Sequence, residues 1–502
     1  MRYLEFNRKF LAKLFFIISS LSGFVEMSAA KLEKPNVIFI MADDLGYAEL
    51  GSYGQKKIKT PNLDRLAGQG MRFTRNYSGN AVCAPSRCVL MTGKHPGHAF
   101  VRNNGEIKPE GQRPIPKDEI TIAELLRNQG YSTGAFGKWG LGFPSSEGDP
   151  IHQGFDRFYG YNCQRHAHSY YPNYLWSNLK RVALDNEPPV PGHASLPNGA
   201  DPSDPLSYDI FKGKDYAPDR INEQALKFIN DHKDKPFFLY YPTVIPHVAL
   251  HVPDEELKPY LDQKWNDPPF VRANGYGYTP HFTPRAAYAA MISRMDRYIG
   301  RVIDLIDKLG LAQNTIIVFT SDNGTTHLRA EVDYNFFESV KPLRGLKGSL
   351  YEGGIRVPLI VRWPGRVPAG TKTNYVTGLE DWIPTLLDLI GEKKSIPAGL
   401  DGLSIANILY GKNQSPRKFL YREFSGYGGQ QAVWSGKWKA IRQNILRKKN
   451  KQPLKIQLYD LNADISESND VAAENLKVVN RLRKLMAREH TPSEFYPIKP
   501  LD

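Results

Sequence analysis

Apolar, strand-like runs alternate with amphipathic helices along most of this 502-residue chain, and this alternation limits the possible folds more than any other feature. Residues 36–41 form a nearly continuous apolar run, which is typical of a central strand covered on both faces. The order of the segments predicts an α/β fold with a large mixed, mainly parallel sheet sandwiched by helices. The other predicted strands are residues 131–136, 236–244, 315–320 and 357–362, and the predicted helices are residues 60–66, 121–128, 283–309 and 381–390.

The pattern changes near residues 395–415, and the remainder of the chain has the pattern of strands rather than of strand–helix units. Residues 432–434 and 438–441 flank the turn Ser435-Gly436-Lys437, which is typical of a β-hairpin. The remaining predicted elements are strands at residues 419–424 and 456–461 and a helix at about residues 471–489. We therefore predict a small C-terminal antiparallel sheet with one packed helix. The predicted domains are a main domain at residues 31–405 and a C-terminal subdomain at residues 406–502.

The start of the chain has the pattern of a secretory signal. Basic residues precede an apolar run at residues 14–25, and Ser28-Ala29-Ala30 offers a cleavage site with small residues. The run is too short to span a bilayer, although an uncleaved membrane anchor is the alternative. We predict that residues 1–30 are removed on export to the periplasm or the cell exterior, with no stable membrane insertion afterwards.

Oxygen-bearing side chains follow two of the predicted strands. Asp43 and Asp44 come directly after residues 36–41, and Asp322 and Asn323 come directly after residues 315–320. Because ligands bind at the carboxyl ends of parallel strands, the two pairs could converge on one hard cation. Three carboxylates and an amide oxygen suit calcium, or magnesium if the site is tight. The alternative is that both pairs only form turns and helix caps.

The run Cys83-Ala84-Pro85-Ser86-Arg87 is followed by Thr92-Gly93. It resembles the signature of the type I sulfatases, of the alkaline phosphatase superfamily, in which a maturation enzyme oxidises the cysteine to formylglycine. The resemblance covers residues from about 35 to about 480 and implies an alkaline-phosphatase-like fold. It also implies that the hydrate of formylglycine at position 83 is the nucleophile.

Other motifs of the same family occur in the family order. Their key residues are Lys138 in Gly137-Lys138-Trp139, His247 in Pro246-His247, and Lys347 in Leu343-Arg344-Gly345-Leu346-Lys347-Gly348. The resemblance implies that Arg87 lies beside the nucleophile, that Lys138 and Lys347 bind the sulfate group and that His247 assists departure of the alcohol. It implies calcium ligands at Asp43, Asp44, Asp322 and Asn323, and hydrolysis of sulfate esters, which we expect on a sulfated carbohydrate.

One position departs from the family pattern. The family motif continues with histidine after Gly-Lys-Trp, and this chain has Gly140 there. In the family that histidine is the base that helps to expel sulfate. His166 and His168 lie about 25 residues further on in an aromatic stretch, and either could take over this role; His98 is a weaker candidate. The aromatic residues predict a sugar-binding rim or ordinary packing.

The charge and the cysteines set further limits. The formal net charge of +14 attracts polyanions, and the basic run 447–451 is either part of that surface or a solvated loop. The sequence has no nucleic-acid-binding motif, so we expect no nucleic acid partner but a sulfated polysaccharide. With Cys83 modified, only Cys88 and Cys163 would remain, and an exported protein could pair them.

Two other functions remain open at this point. The first is hydrolysis of phosphate monoesters or diesters, because the superfamily shares its metal site. The second is a protein that binds sulfated glycans without turnover, since Gly140 replaces a catalytic histidine.

Overall fold

The computed structural model describes residues 34–272 and 277–502, so the predicted signal at residues 1–30 lies outside the described residues. The strands are β1 (Asn36–Ala42), β2 (Met71–Phe73), β3 (Asn76–Tyr77), β4 (Ser132–Lys138), β5 (Arg157–Tyr161), β6 (Tyr174–Ser177), β7 (Lys180–Ala183), β8 (Phe237–Pro242), β9 (Thr315–Ser321), β10 (Leu359–Arg362), β11 (Thr371–Thr373), β12 (Thr377–Gly378), β13 (Leu420–Phe424), β14 (Gln430–Ser435), β15 (Trp438–Arg442) and β16 (Gln457–Asp460). The helices are α1 (Pro61–Gly68), α2 (Cys83–Thr92), α3 (Ile122–Asn128), α4 (Ala217–Asp231), α5 (Lys258–Leu261), α6 (Pro284–Lys308), α7 (Glu352–Ile355), α8 (Trp382–Leu389), α9 (Ala406–Leu409) and α10 (Leu476–Arg488).

Within the described residues, ten strands form one mixed sheet in the order β11-β2-β10-β9-β1-β8-β4-β5-β6-β7. Its middle, β9-β1-β8-β4-β5, is parallel throughout. In contrast, β10 runs antiparallel to β9, and β6 and β7 run antiparallel to their neighbours. The register pairs Val37 with Phe238 on one side and with Ile316 on the other. The carboxyl ends of the five parallel strands therefore share one edge of the sheet.

Helices cover both faces of this sheet. All seven residues of β1 are buried, and successive side chains point to opposite faces. Ile38 and Ile40 belong to a core with α1, α4 and α6, whereas Val37, Phe39 and Met41 belong to a second core with α2, α3, α8 and α9. The predicted sandwich of a mainly parallel sheet between helical layers is confirmed.

The predicted C-terminal sheet is also confirmed. Strands β13-β14-β15-β16 form an antiparallel sheet in chain order. Helix α10 packs Val479, Leu482 and Met486 against Val433 and Leu458 of this sheet. The helix begins five residues later than the sequence pattern predicts, because residues 471–475 form a turn before it.

Buried Glu352 connects Tyr77 of β3, which pairs with β12, to the C-terminal sheet. Its carboxylate accepts hydrogen bonds from Tyr77 at 2.8 Å, from Trp434 of β14 at 2.8 Å and from Lys439 of β15 at 3.1 Å. A carboxylate with this many donors is stabilised in its charged form although it is buried. The segment around α7, which comes after Lys347, is therefore held against the C-terminal sheet.

Several elements differ from the sequence-based expectation. Strands β5, β6 and β7 were not predicted, and the aromatic stretch that contains Tyr174 and Trp176 forms part of them. Cys88 and Cys163 are both buried free thiols rather than a disulfide. Among the described residues, we find no helix with the length and apolar composition required to cross a membrane.

Candidate active site

The two predicted pairs of oxygen ligands meet at the carboxyl edge of the sheet. Asp43 and Asp44 follow β1, and Asp322 and Asn323 follow the adjacent strand β9. The Asp44 amide donates to Asp322 Oδ1 at 3.1 Å, and Asn323 Nδ2 donates to Asp44 Oδ1 at 2.7 Å. Asp44 adopts φ +67°, a left-handed conformation that is costly for a residue with a side chain. The backbone is thus held in a strained shape where the four side chains converge.

Two buried cations and the partly buried Lys347 face these carboxylates. Lys138, the last residue of β4, donates to Asp43 Oδ2 at 2.6 Å, and Lys347 donates to Asp44 at 2.8 Å. Arg87 donates to Asp322 Oδ2 at 2.7 Å. The three carboxylates and three cations balance in formal charge, so a divalent cation would leave the site positive. A positive site suits an anionic ligand.

Cys83 lies at the centre of this arrangement, as the first residue of α2. Its Sγ lies 3.4 Å from Asp43 Oδ1, 3.7 Å from Lys138 Nζ and 3.6 Å from Lys347 Nζ. Burial and the nearby Asp43 carboxylate raise the pKa of the Cys83 thiol above its usual value. The unmodified thiol is therefore neutral and a poor nucleophile.

The oxygen-bearing residues fit a hard cation. Ligand atoms of Asp43, Asp44, Cys83 and His247 all lie within 4.8 Å of one another. Asn323 Oδ1 is buried and accepts no hydrogen bond from the described residues, so it is free to bind a cation. Burial and the nearby Asp43 carboxylate raise the pKa of Asp322 above its usual value, and Arg87 opposes this rise. Oxygen ligands of this kind suit calcium or magnesium.

His247 reaches the same place from the loop after β8. Its Nε2 lies 3.7 Å from Asp44 Oδ2, and its Nδ1 contacts the Val248 carbonyl. Burial and Lys347 lower the pKa of His247 to about 4. The imidazole is thus neutral in the free protein, with Nε2 as the ring nitrogen that faces the carboxylates.

The two histidines of the aromatic stretch are placed differently. The His168 ring stacks on the His247 ring with their centroids 5.0 Å apart. His166 Nδ1 lies 3.3 Å from Glu110 Oε1 instead, and Glu110 also accepts a hydrogen bond from Trp176. The structure therefore brings His168 but not His166 to the cavity at the site. Trp176 contacts Glu110 and is not among the residues that line the cavity.

The position of the missing family histidine is filled by Gln164. Gly140 has φ +83°, and a Cβ built on it would lie 2.8 Å from Gln164 Nε2 and 3.0 Å from Gln164 Cγ. Gln164 is 5% exposed, and its buried Nε2 has no hydrogen-bond partner among the described residues. A buried unpaired donor is costly, so this amide is available to a ligand in the cavity.

These side chains line a polar cavity of about 390 Å³. Most of the other lining residues were not predicted from the sequence, and they include Gln164, Tyr278, His327 and Tyr427. Gly140 itself was the available signal for Gln164, because the loss of a family residue calls for a replacement. His98, by contrast, lies outside the lining and pairs with Asp401 at 2.9 Å.

A charged site at the carboxyl edge of a mainly parallel sheet, with a second small antiparallel sheet, is the architecture of the alkaline-phosphatase-like fold. The sequence model of the sulfatase family matches residues 35–392, and the model of the C-terminal region of N-sulphoglucosamine sulphohydrolase matches residues 334–491. The chain therefore belongs to the sulfatase family, whose members are sulfuric ester hydrolases.

Known relatives are similar over nearly the whole chain. An N-acetylgalactosamine-6-O-sulfatase of Bacteroides thetaiotaomicron is 31% identical, and the alignment covers 90% of this chain and 93% of that protein. Human arylsulfatase A is 32% identical, with 81% of this chain and 74% of that protein covered. The crystal structure of Ps i-CgsB in complex with k-i-k-neocarrahexaose is similar with a TM-score of 0.69 at 28% identity, covering 91% of this chain and 92% of that chain.

Proposed function

We propose that this protein hydrolyses sulfate esters of a sulfated carbohydrate, using formylglycine formed from Cys83 and a calcium ion. The observation that carries the proposal is the position of Cys83, which lies in a polar cavity between Lys138 and Lys347. A carbohydrate substrate is supported by the N-acetylgalactosamine-6-O-sulfatase relative and by the similar structure that holds k-i-k-neocarrahexaose.

We assign a place to each of the two groups that the family implies. Asp43, Asp44, Asp322 and Asn323 would hold calcium, which supplies positive charge against the sulfate oxygens. Formylglycine at position 83 supplies, as its hydrate, a nucleophile that the neutral thiol cannot provide.

The chain's own cations bind and orient the sulfate group. Arg87 and Lys138 are each 1% exposed, so their charges act with little screening by water. Together with Lys347 they stabilise the charge that develops on the sulfate oxygens. The N-terminal end of α2 lies at position 83, and the positive end of its helix dipole also stabilises negative charge there.

His247 is assigned the proton transfer to the departing sugar oxygen. Its Nδ1 faces the Val248 carbonyl, so Nε2 is the atom that can exchange a proton with the substrate. An anionic sulfate group nearby would raise the pKa of His247 from its low value in the free protein. The bound substrate would thus favour protonation of His247, which then donates a proton to the departing sugar oxygen.

The second step needs a base, and Gln164 cannot be one because a side-chain amide does not accept a proton at neutral pH. We assign Gln164 a hydrogen bond from Nε2 to a sulfate or sugar oxygen. His168 is the proposed base, because its ring lines the cavity and stacks on His247. Burial and His247 lower its pKa, so the ring is neutral in the free protein and can accept a proton. His166 is not assigned a role, since it lies beside Glu110.

We further propose that the chain is exported and that the maturation enzyme which forms formylglycine is a transient partner. Cys83 is 1% exposed in the folded protein. The maturation enzyme must therefore reach this residue before the fold is complete.

The test of this function is a panel of defined substrates. The protein, produced together with a formylglycine-generating enzyme, should release sulfate from sulfated galactose-type sugars, including 6-sulfated N-acetylgalactosamine, and from neocarrahexaose. Matched phosphate esters should react at least about tenfold more slowly. Faster phosphate release would favour the phosphoesterase alternative, and modified protein that binds but hydrolyses no sulfate ester would favour the non-catalytic binder.

Variants of Gln164 and His168 should separate the roles of the two residues. Gln164→Ala should weaken inhibition by free sulfate and raise KM by roughly tenfold, because one hydrogen bond to a charged group is lost. His168→Ala should slow the release of sulfate more than the release of alcohol, giving a burst of alcohol followed by slow turnover.

His166→Ala is the matched control for both variants. It removes an imidazole from the same short segment but outside the cavity, so kcat and KM should stay within about twofold of wild type. Unchanged turnover in His168→Ala would show that the base lies elsewhere. Unchanged sulfate inhibition in Gln164→Ala would remove the role assigned to its amide.

A further inference from the structure

A groove of about 520 Å³ lies in the C-terminal subdomain, in the connection between β15 and β16. Four of its nine lining residues are cations, and the other five all carry side-chain amides. Neither a carboxylate nor an apolar side chain lines it. The cations are Arg447, Lys449, Lys451 and Lys455. The groove contains most of the basic run 447–451, for which the sequence alone allows either a solvated loop or a polyanion surface.

The positive charge of this groove is not compensated. All four cations are exposed, and none of them forms an ion pair with a carboxylate of residues 34–272 or 277–502. Nearby Lys437, at the turn between β14 and β15, differs because Asp460 lies 2.6 Å from its Nζ. An uncompensated cationic concavity concentrates anions from solution.

The amides give the groove a fixed shape and a free donor. Asn450 braces the loop, because its Nδ2 donates to the Asn444 carbonyl at 3.0 Å and its Oδ1 accepts from the Gln452 amide at 2.9 Å. Gln443 Nε2, in contrast, is buried and has no hydrogen-bond partner among the described residues. An unpaired buried donor in the wall of a cationic groove can donate a hydrogen bond to an acceptor such as a hydroxyl or sulfate oxygen.

The groove adjoins the candidate active site. Tyr427 lines the catalytic cavity, and the next residue, Gly428, accepts a backbone hydrogen bond from Leu446 at 2.8 Å. Leu446 directly precedes the groove residue Arg447. Given the spacing of consecutive residues and of paired strands, the rim of the groove lies on the order of 10 Å from Tyr427. One extended ligand could therefore occupy both.

We propose that this groove binds a second sulfate group of the same carbohydrate chain whose sulfate ester enters the catalytic cavity. The cations would pair with the sulfate oxygens, and the amides would bind neighbouring hydroxyls. The inference rests on the proposed function and narrows it, because it makes a sulfated oligosaccharide or polysaccharide a better substrate than a sulfated monosaccharide.

The test compares two triple variants that each lose three exposed lysines. Lys449→Ser, Lys451→Ser and Lys455→Ser together remove charge from the groove. Lys233→Ser, Lys235→Ser and Lys308→Ser together remove the same charge from the opposite edge of the sheet, where β8 and β9 begin. Binding is measured by affinity electrophoresis in gels that contain dextran sulfate or unsulfated dextran.

The groove variant should bind dextran sulfate roughly tenfold more weakly than wild type, and the control variant should change less than about twofold. Gln443→Ala, which leaves the net charge unchanged, should weaken binding by about threefold. Neither change should affect unsulfated dextran. Equal losses in the two triple variants, or no loss in the groove variant, would overturn the proposal.

Turnover distinguishes this proposal from the proposed function. On the substrate that the panel identifies, the groove variant should raise KM for the oligosaccharide and leave kcat and KM for the sulfated monosaccharide unchanged. If the ratio of KM for the oligosaccharide to KM for the monosaccharide is the same in wild type and in the groove variant, the proposed role of the groove is wrong. If the wild-type protein releases no sulfate from any substrate, the proposed function is wrong. The dextran sulfate comparison would still decide whether the groove binds sulfate.

Discussion

Replacing Cys83 by alanine is expected to abolish turnover of sulfate esters, by a factor of about 10⁴ or more, while the protein stays folded. The thiol is 1% exposed and lies within 3.7 Å of two lysines and one carboxylate, so no other group can take its position. In active wild-type protein, mass spectrometry of the peptide around position 83 should show the mass of the aldehyde or its hydrate. An unmodified thiol in active enzyme would contradict the proposed nucleophile.

Cys88→Ala is the matched control for this variant. Cys88 lies on the same helix, is fully buried, and packs in the core between α2 and the sheet. Its loss should lower the free energy of unfolding by about 1 kcal/mol and leave turnover nearly unchanged. If Cys88→Ala also abolished turnover, the loss in Cys83→Ala could not be assigned to the nucleophile.

Replacing Asp322 should remove both the metal and the activity. Asp322→Ala takes one carboxylate from the cluster and leaves buried Arg87 without its 2.7 Å partner, so kcat should fall by about 10³ or more. Asp322→Asn keeps the shape of the side chain and should retain the fold while binding calcium much more weakly. Elemental analysis measures the metal, and chelation of wild type followed by calcium should remove and restore turnover.

Asp296→Asn is the control for loss of a buried carboxylate. Asp296 is 1% exposed and accepts backbone hydrogen bonds at the start of α1, away from the cluster. It should lower stability and keep both metal and turnover. Stoichiometric zinc in place of calcium in the purified protein would contradict the metal assignment.

The long buried elements were predictable because each is uniformly apolar or clearly periodic. β1 and β9 are covered on both faces, and α6 starts with proline and is followed by Gly310 at φ +70°. β7 gave no such signal, since all four of its residues are exposed. Strands of two or three residues, such as β2 and β12, are too short to show any period. Their pairing is decided by the tertiary structure.

At the site, the sequence and the family resemblance identify residues. They cannot show where a side chain lies when its position depends on the backbone conformation. The candidates for replacing the missing histidine were His166 and His168, because both carry an imidazole, and Gln164, which precedes them, was not among them. Gly140 indicates in the sequence that a replacement is needed, but only the structure shows that it is Gln164, whose Nε2 lies 2.8 Å from the position of a Cβ built on Gly140. The individual roles of these residues stay predictions until the variants are measured.

The position of β1 in the sheet also sets the order in which the molecule can form. This first strand is flanked by β8 and β9, and Asn36 pairs with Thr315, 279 residues further along the chain. During synthesis, both edges of a fully buried strand lack partners that have not yet been made, and such distant pairings form slowly. Asp43 and Asp44 cannot approach Asp322 and Asn323 until β1 has paired with β9. A chain that ends before residue 323 therefore cannot assemble the cation-binding residues, even though Cys83 has already been made.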